Sequence, residues 1–173
     1  MSREAHRAAA PAGVAVFIVT FSDTRDLATD TGGALVEELT TAAGHRVQGR
    51  VILREDPDRL LHDVAALIAR DDFDVLLATG GTGIAPRDLA ADALSLLYDR
   101  KLPGFGELFR AMSAAEVGSA ALLSRASAGI ARDKAVFSLP GSPSAVRLGM
   151  ERLVLPEIGH VVAELRRDAR RVR

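Results

Sequence analysis

The sequence predicts an α/β protein: a three-layer, doubly wound, mostly parallel sheet with helices on both faces. Short runs of continuous apolar, β-branched residues have the character of strands buried on both sides. They alternate with segments whose apolar residues recur at helical spacing, as parallel βαβ units require. Two of the runs pass directly into glycine-containing loops that open helices. Right-handed crossovers between such strands place helices on each face.

The first strand is the apolar run 14–20, which includes Val14, Val16, Ile18 and Val19. The polar stretch 22–31 follows as a loop. Leu35, Leu39 and Ala42 set the stripe of a first helix, stopped by Gly44. A second strand covers Arg46–Leu53, and Asp56 with Pro57 opens a second helix. Its Leu60, Leu61, Val64, Leu67 and Ile68 fall on one stripe. The third strand, 74–79, runs into Gly80-Gly81-Thr82-Gly83. The stretch 88–130 is expected to be helix-rich and broken at Leu102-Pro103-Gly104-Phe105-Gly106. Within it, Ser113 and Glu116 are spaced as a capping box opening a short helix. Lys134–Leu139 is a further strand, running into Pro140-Gly141-Ser142-Pro143, and Val146, Met150, Leu153 and Val154 mark the helix behind it.

From Pro156 a last helix leads to Arg166, Arg167, Arg170, Arg171 and Arg173. These are read as a solvated end with cations at the negative pole of the helix dipole; the competing reading is an acid-binding patch. The expected layout is a flexible lead-in over 1–13, a single domain over 14–165 and an arginine-rich tail over 166–173.

At 173 residues the chain holds one domain's worth of sequence. Lysine and arginine number 22 against 23 acidic residues, a net charge of −1, which argues against a dedicated nucleic-acid binder. Aromatics at 4%, with no Trp and one Tyr, leave little with which to stack bases. The absence of cysteine excludes disulfides, thiolate metal sites and cysteine nucleophiles. The first residues lack the apolar core of a signal peptide, and nothing approaches a membrane span. A cytoplasmic protein without membrane attachment is expected.

The chemistry is expected where the loops 80–83 and 140–143 meet. In a parallel sheet both emerge at the carboxyl edge, where ligands of open α/β sheets bind. Glycines let the backbone approach an anion, and helix N–H groups supply donors. Thr82, Ser142 and Ser144 add hydroxyls, with Ser142 as cap and Pro143 at the first helical position. Gly80, Gly81, Thr82, Gly83, Pro140, Gly141, Ser142 and Ser144 are therefore candidate phosphate-binding residues. Neither loop is a Walker A loop, and no GxGxxG follows the first strand. Asp88 has two readings: a cap for the helix starting at Leu89, or a Mg²⁺ ligand beside bound phosphates. Glu55 and Asp56 follow the second strand at the same edge and could contribute another carboxylate; the competing reading is the N-terminal cap and first turn of the second helix, which is favoured for Asp56. Arg87, Arg110 and Arg125 are each a candidate phosphate binder or a structural ion pair. His6, His45, His62 and His160 lie outside both loops without metal-ligand spacing, and no G-x-S-x-G elbow is present. Phosphoryl or nucleotidyl transfer, which rests on positioning and charge neutralisation, fits these residues better than acyl transfer.

Gly80-Gly81-Thr82-Gly83 with Arg87-Asp88, Pro103-Gly104-Phe105-Gly106-Glu107-Leu108-Phe109-Arg110, Ser124-Arg125-Ala126 and Leu139-Pro140-Gly141-Ser142-Pro143 occur in that order. Together with Ser22-Asp23, Asp30 and Gly33, this combination resembles the molybdenum cofactor biosynthesis family MoaB/MogA over about residues 14–160. The resemblance implies a molybdopterin-binding α/β domain. It also implies a molybdopterin adenylyltransferase activity, in which Mg²⁺-ATP and molybdopterin give adenylyl-molybdopterin and pyrophosphate. By the same resemblance, Asp88 and Glu55 take the two acidic positions, catalytic and Mg²⁺-binding, and Ser22 and Arg125 join the substrate-binding set. A homotrimer or homohexamer and a downstream molybdenum-insertion partner are implied as well. Two departures stand out. Glu55 replaces the aspartate usual in active members, and Asp88-Leu89-Ala90-Ala91-Asp92 replaces Asp-x-Thr-Pro-Glu. Glu55 resembles a branch that binds the pterin without adenylylating it, so a non-catalytic molybdopterin-binding or carrier protein is the alternative.

Overall fold

A computed structural model describes residues 13–169. Strand β1 (Ala15–Phe21) is buried along its whole length, as its unbroken apolar run requires. Helix α1 (Thr31–Ala42) leads to β2 (Arg46–Leu53), and α2 (Leu60–Ile68) to β3 (Val75–Thr79). Helix α3 (Ala90–Leu97), the two-residue β4 (Arg100–Lys101) and α4 (Pro103–Val117) follow. A 3₁₀ turn (Gly118–Leu123) precedes β5 (Ser127–Ala131) and β6 (Lys134–Leu139). Helix α5 (Pro143–Gly149) continues through a π-turn (Met150–Val154) into α6 (Leu155–Ala169).

The strands form one sheet in the order β2-β1-β3-β6-β5-β4. β2, β1, β3 and β6 run parallel, whereas β5 pairs antiparallel with β6 and with β4. Alternate strand residues face opposite layers. Val16, Ile18, Val75, Leu77 and Phe137 pack with Val36 of α1, Phe109 of α4, Val146 of α5 and Ile158 of α6. Phe17, Val19, Leu76 and Val136 pack on the other face with Leu60, Val64 and Ile68 of α2 and Ala90 and Leu94 of α3. The mostly parallel three-layer architecture is as the sequence predicts.

Several elements differ from expectation. β4 and β5 lie inside the stretch expected to be helix-rich. β5 is built from Ser127, Ala128, Gly129, Ile130 and Ala131, a composition with little strand signal. It is held as a hairpin by β6 through Arg132 and Asp133, both with positive φ. Its small residues make room: the Tyr98 ring fills the place of a Gly129 side chain. The expected break at 102–106 is the start of α4, with Pro103 in its first turn. Ser113 and Glu116 sit inside α4 rather than boxing a new helix. Leu61 leaves the apolar stripe of α2 and is 42% exposed.

Helix α6 extends past residue 165, and Arg166 pairs with Asp74 while Arg167 pairs with Glu164 at 3.0 Å. Of the expected lead-in over 1–13, residues 1–12 lie outside the described residues, as do Arg170, Arg171 and Arg173. Among the described residues, no helix is long and apolar enough to cross a membrane.

Candidate functional site

The carboxyl ends of β1, β3 and β6 open into a cleft of about 570 Å³. Ser22, Thr24 and Arg25 line it from the β1–α1 loop, Gly80 to Gly83 and Asp88 from the β3–α3 loop, and Pro140 to Ser142 from the β6–α5 loop. Leu123 and Ser124 close one side. The two glycine loops therefore meet, as parallel strands side by side require. The Thr79 hydroxyl donates to Pro140 O at 3.2 Å, and Gly80 N donates to Leu139 O at 3.0 Å. Gly80 and Gly81 have φ of +90° and +61°, a left-handed conformation that glycine adopts without strain. A side chain at Gly80 would strike Phe21 O.

Two carboxylates flank the loop. A Cβ on Gly83 would lie 2.5 Å from Asp88 Oδ2, and one on Gly81 would lie 2.5 Å from Glu55 Oε2. Asp88 Oδ2 accepts from Ala85 N at 2.8 Å, so Asp88 closes its own turn and does not cap α3. That cap comes from Glu55, whose Oε2 accepts from Leu89 N at 2.6 Å and Ala90 N at 2.9 Å. Burial pushes the Glu55 carboxyl upward from its ordinary pKa. The two backbone donors oppose that rise, while the nearby charges of Asp88 and Asp23 add to it. Asp23 also accepts from Glu55 N at 3.0 Å, tying the loop after β1 to the loop after β2. Asp56 accepts from Asp58 N at 2.9 Å and closes the turn before α2.

The remaining candidates divide. Ser22 lines the cleft, with its hydroxyl accepting from Thr24 N and Arg25 N at 3.3 and 3.2 Å. Ser142 caps α5 through Ala145 N at 3.4 Å, with Pro143 in the first turn as the sequence suggests. Ser144 faces an adjoining hollow that it shares with Ser142, Phe109 and Leu148. Arg125 lies outside the cleft lining. Its Nε donates to Gly83 O at 2.7 Å, its Nη2 to Asp88 O and its Nη1 to both oxygens of Asp92. It clamps the glycine loop to α3. Arg110 donates to Ser124 O and Ala126 O, and Arg87 is exposed. Sequence spacing missed Thr24, Arg25, Leu123 and Ser124. The edge rule itself, applied to the loop after β1, points to the first two.

The described residues 17–160 match the model of a family described as a probable molybdopterin binding domain. A molybdenum cofactor biosynthesis protein B from Halalkalibacterium halodurans is 46% identical over 97% of this chain and 99% of its own length.

The chain belongs to the probable molybdopterin-binding domain family.

Its counterpart of the same name in Bacillus subtilis is 44% identical over 97% of this chain and 99% of that one. Among solved structures, a molybdenum cofactor biosynthesis protein B superposes with a TM-score of 0.86 at 48% identity, covering 91% of this chain and 99% of that chain. The tungsten cofactor synthesizing protein MoaB from Pyrococcus furiosus gives 0.79 at 35% identity, over 91% and 99%. This membership supports a role in molybdenum cofactor biosynthesis.

Proposed function

We propose that the cleft binds molybdopterin and transfers an adenylyl group from Mg²⁺-ATP to its terminal phosphate. The observation that supports this most is the convergence of two glycine loops with Asp88 and Glu55 at one sheet edge. In the proposed reaction a phosphate oxygen of the pterin bonds to the α-phosphorus of ATP. The bond from that phosphorus to the oxygen bridging the β-phosphorus breaks, and pyrophosphate leaves with the electron pair. The nucleophile is already an anion, so the step needs positioning rather than a general base, in keeping with a cleft lining without histidine. Gly80 to Gly83 and Pro140 to Ser142 orient the phosphates, and Arg125 holds the first loop in place.

The acidic pair fits a magnesium ion. Asp88 and Glu55 supply hard oxygen donors, and the like-charge repulsion between them is what a divalent cation relieves. Held by these two residues, Mg²⁺ would neutralise charge on the nucleotide phosphates. The same proposal includes a cytoplasmic homotrimer or homohexamer that passes its product to a molybdenum-insertion protein.

A second reading has its own support. Both hydrogen bonds accepted by Glu55 Oε2 serve the start of α3, which commits that oxygen to structure. This favours a protein that binds molybdopterin without adenylylating it. Incubation with molybdopterin and Mg²⁺-ATP, followed by chromatographic separation, tests both. An adenylyl-pterin product that falls about 100-fold or more in Asp88→Asn, with pterin binding retained, supports catalysis. Pterin bound without product supports the second reading.

A further inference from the structure

We infer that Arg25, rather than Arg87, Arg110 or Arg125, binds the ligand's phosphate group in this cleft. This rests on reading the cleft as a phosphate site. The charged side chains of its lining are Arg25 and Asp88. The other candidate arginines are spent or elsewhere: Arg125 on Gly83, Asp88 and Asp92, Arg110 on Ser124 and Ala126, and Arg87 outside the lining.

Arg25 is in the opposite condition. Among the described residues its guanidinium makes no hydrogen bond, and its ion pair is with Asp30 Oδ1 at 3.9 Å, beyond hydrogen-bonding reach. Asp30 does not need it. That carboxylate is fully buried and already accepts from Gly33 N at 2.9 Å, the Thr20 hydroxyl at 2.7 Å and Arg50 Nη1 at 3.2 Å. The donors of Arg25 are therefore unspent, while the distant carboxylate steadies the side chain at 37% exposure.

Its position is equally specific. Arg25 Nη1 lies 3.8 Å from where a Gly32 side chain would begin, and that same point is 3.1 Å from Gly141 O. The absence of a side chain at Gly32 leaves the guanidinium next to the 140–142 loop. This is the α1 side of the cleft, whereas Asp88 and Glu55 belong to the α3 side. The cleft is thus polar across the sheet edge. A phosphate seated by Arg25 meets a planar fork of donors and the Ser142 hydroxyl, on the opposite side of the cleft from Asp88 and Glu55.

The test is calorimetric binding of molybdopterin, Mg²⁺-ATP and inorganic pyrophosphate to wild type, Arg25→Gln and Arg25→Lys. Loss of charge-assisted hydrogen bonds should weaken binding by about 10- to 100-fold in Arg25→Gln, with partial recovery in Arg25→Lys. Pyrophosphate should be affected together with one of the two substrates. Weakening of molybdopterin assigns Arg25 to the pterin phosphate, and weakening of Mg²⁺-ATP assigns it to the nucleotide; both support a phosphate-binding Arg25. Binding of all three to Arg25→Gln as tightly as to wild type overturns the assignment, as does a wild type that binds none. Wild type that binds these probes through Arg25 but forms no adenylyl-pterin overturns the proposed reaction and leaves the phosphate-binding Arg25 supported. Unchanged circular dichroism in Arg25→Gln excludes unfolding as the cause.

Discussion

Glu55 Oε2 accepts a hydrogen bond from Leu89 N at 2.6 Å, so a carboxylate that follows β2 caps the helix that follows β3. Ala90 N reaches the same oxygen at 2.9 Å. Two donors that a helix leaves unsatisfied at its start are thereby met from a segment 34 and 35 residues away. Leu89, at the cap position itself, has no side-chain acceptor to offer.

Removal of that acceptor should cost stability. Glu55→Ala is expected to lower the unfolding free energy by about 1–2 kcal/mol, the range for losing a helix cap. Glu55→Gln keeps a carbonyl acceptor and should lose less than half as much. Urea unfolding of the three proteins checks the order; equal stability of Glu55→Ala and wild type would remove the cap from the account.

Arg125 should matter through the loop rather than through the ligand. Arg125→Ala leaves Gly83 O and Asp88 O without their donor and is expected to destabilise the fold by about 1–2 kcal/mol, a figure that allows for solvent around Asp92. Arg125→Lys cannot reproduce the three-way grip and should recover little. Proteolysis of the native protein offers a local readout: faster cleavage within 83–88 in Arg125→Ala is expected, and an unchanged rate would contradict the clamp.

Tyr98 offers a spectroscopic check, since the chain has one tyrosine and no tryptophan. Burial pushes its phenol up from 10.0 to about 12, partly opposed by its hydrogen bond with Ser127 at 3.1 Å. The phenolate absorbance of the folded protein should therefore rise with a midpoint near the upper value. In the unfolded chain the proton leaves near the ordinary value, so the native state binds more protons between the two. Stability is present in full below the unfolded pKa and declines as pH rises toward the folded one. Tyr98→Phe should flatten that alkaline decline in a series of unfolding curves.

Of the four parallel strands, β1, β3 and β6 were legible as runs of buried apolar residues, because burial on both faces leaves a plain mark in the sequence; β2, at the sheet edge and nowhere fully buried, shows an apolar run at Val51, Ile52 and Leu53 alone. The β5–β4 edge left none. Ser127 and Gly129 face Tyr98, the first bonding its hydroxyl and the second leaving room for its ring, and such small residues carry no strand pattern. The two glycine loops were legible for the same reason as the strands they follow. The role of Glu55 was not, because its partners are backbone N–H groups, which look alike at every position. Arg25 escaped because an arginine in a loop carries no spacing. Its unspent donors become visible only when Asp30 is seen to be satisfied by Thr20, Gly33 and Arg50.

The junction of β3 with β6 has a kinetic consequence. The β5–β6 hairpin closes through the adjacent residues Arg132 and Asp133, a local event that takes microseconds in isolated hairpins. The contact between Thr79 and Pro140, by contrast, joins positions 61 residues apart and has to wait for a large loop to close. The cleft at this junction is therefore expected to form later than the hairpin as the chain folds. A molecule that recognises it selects chains whose long-range strand pairing is already complete.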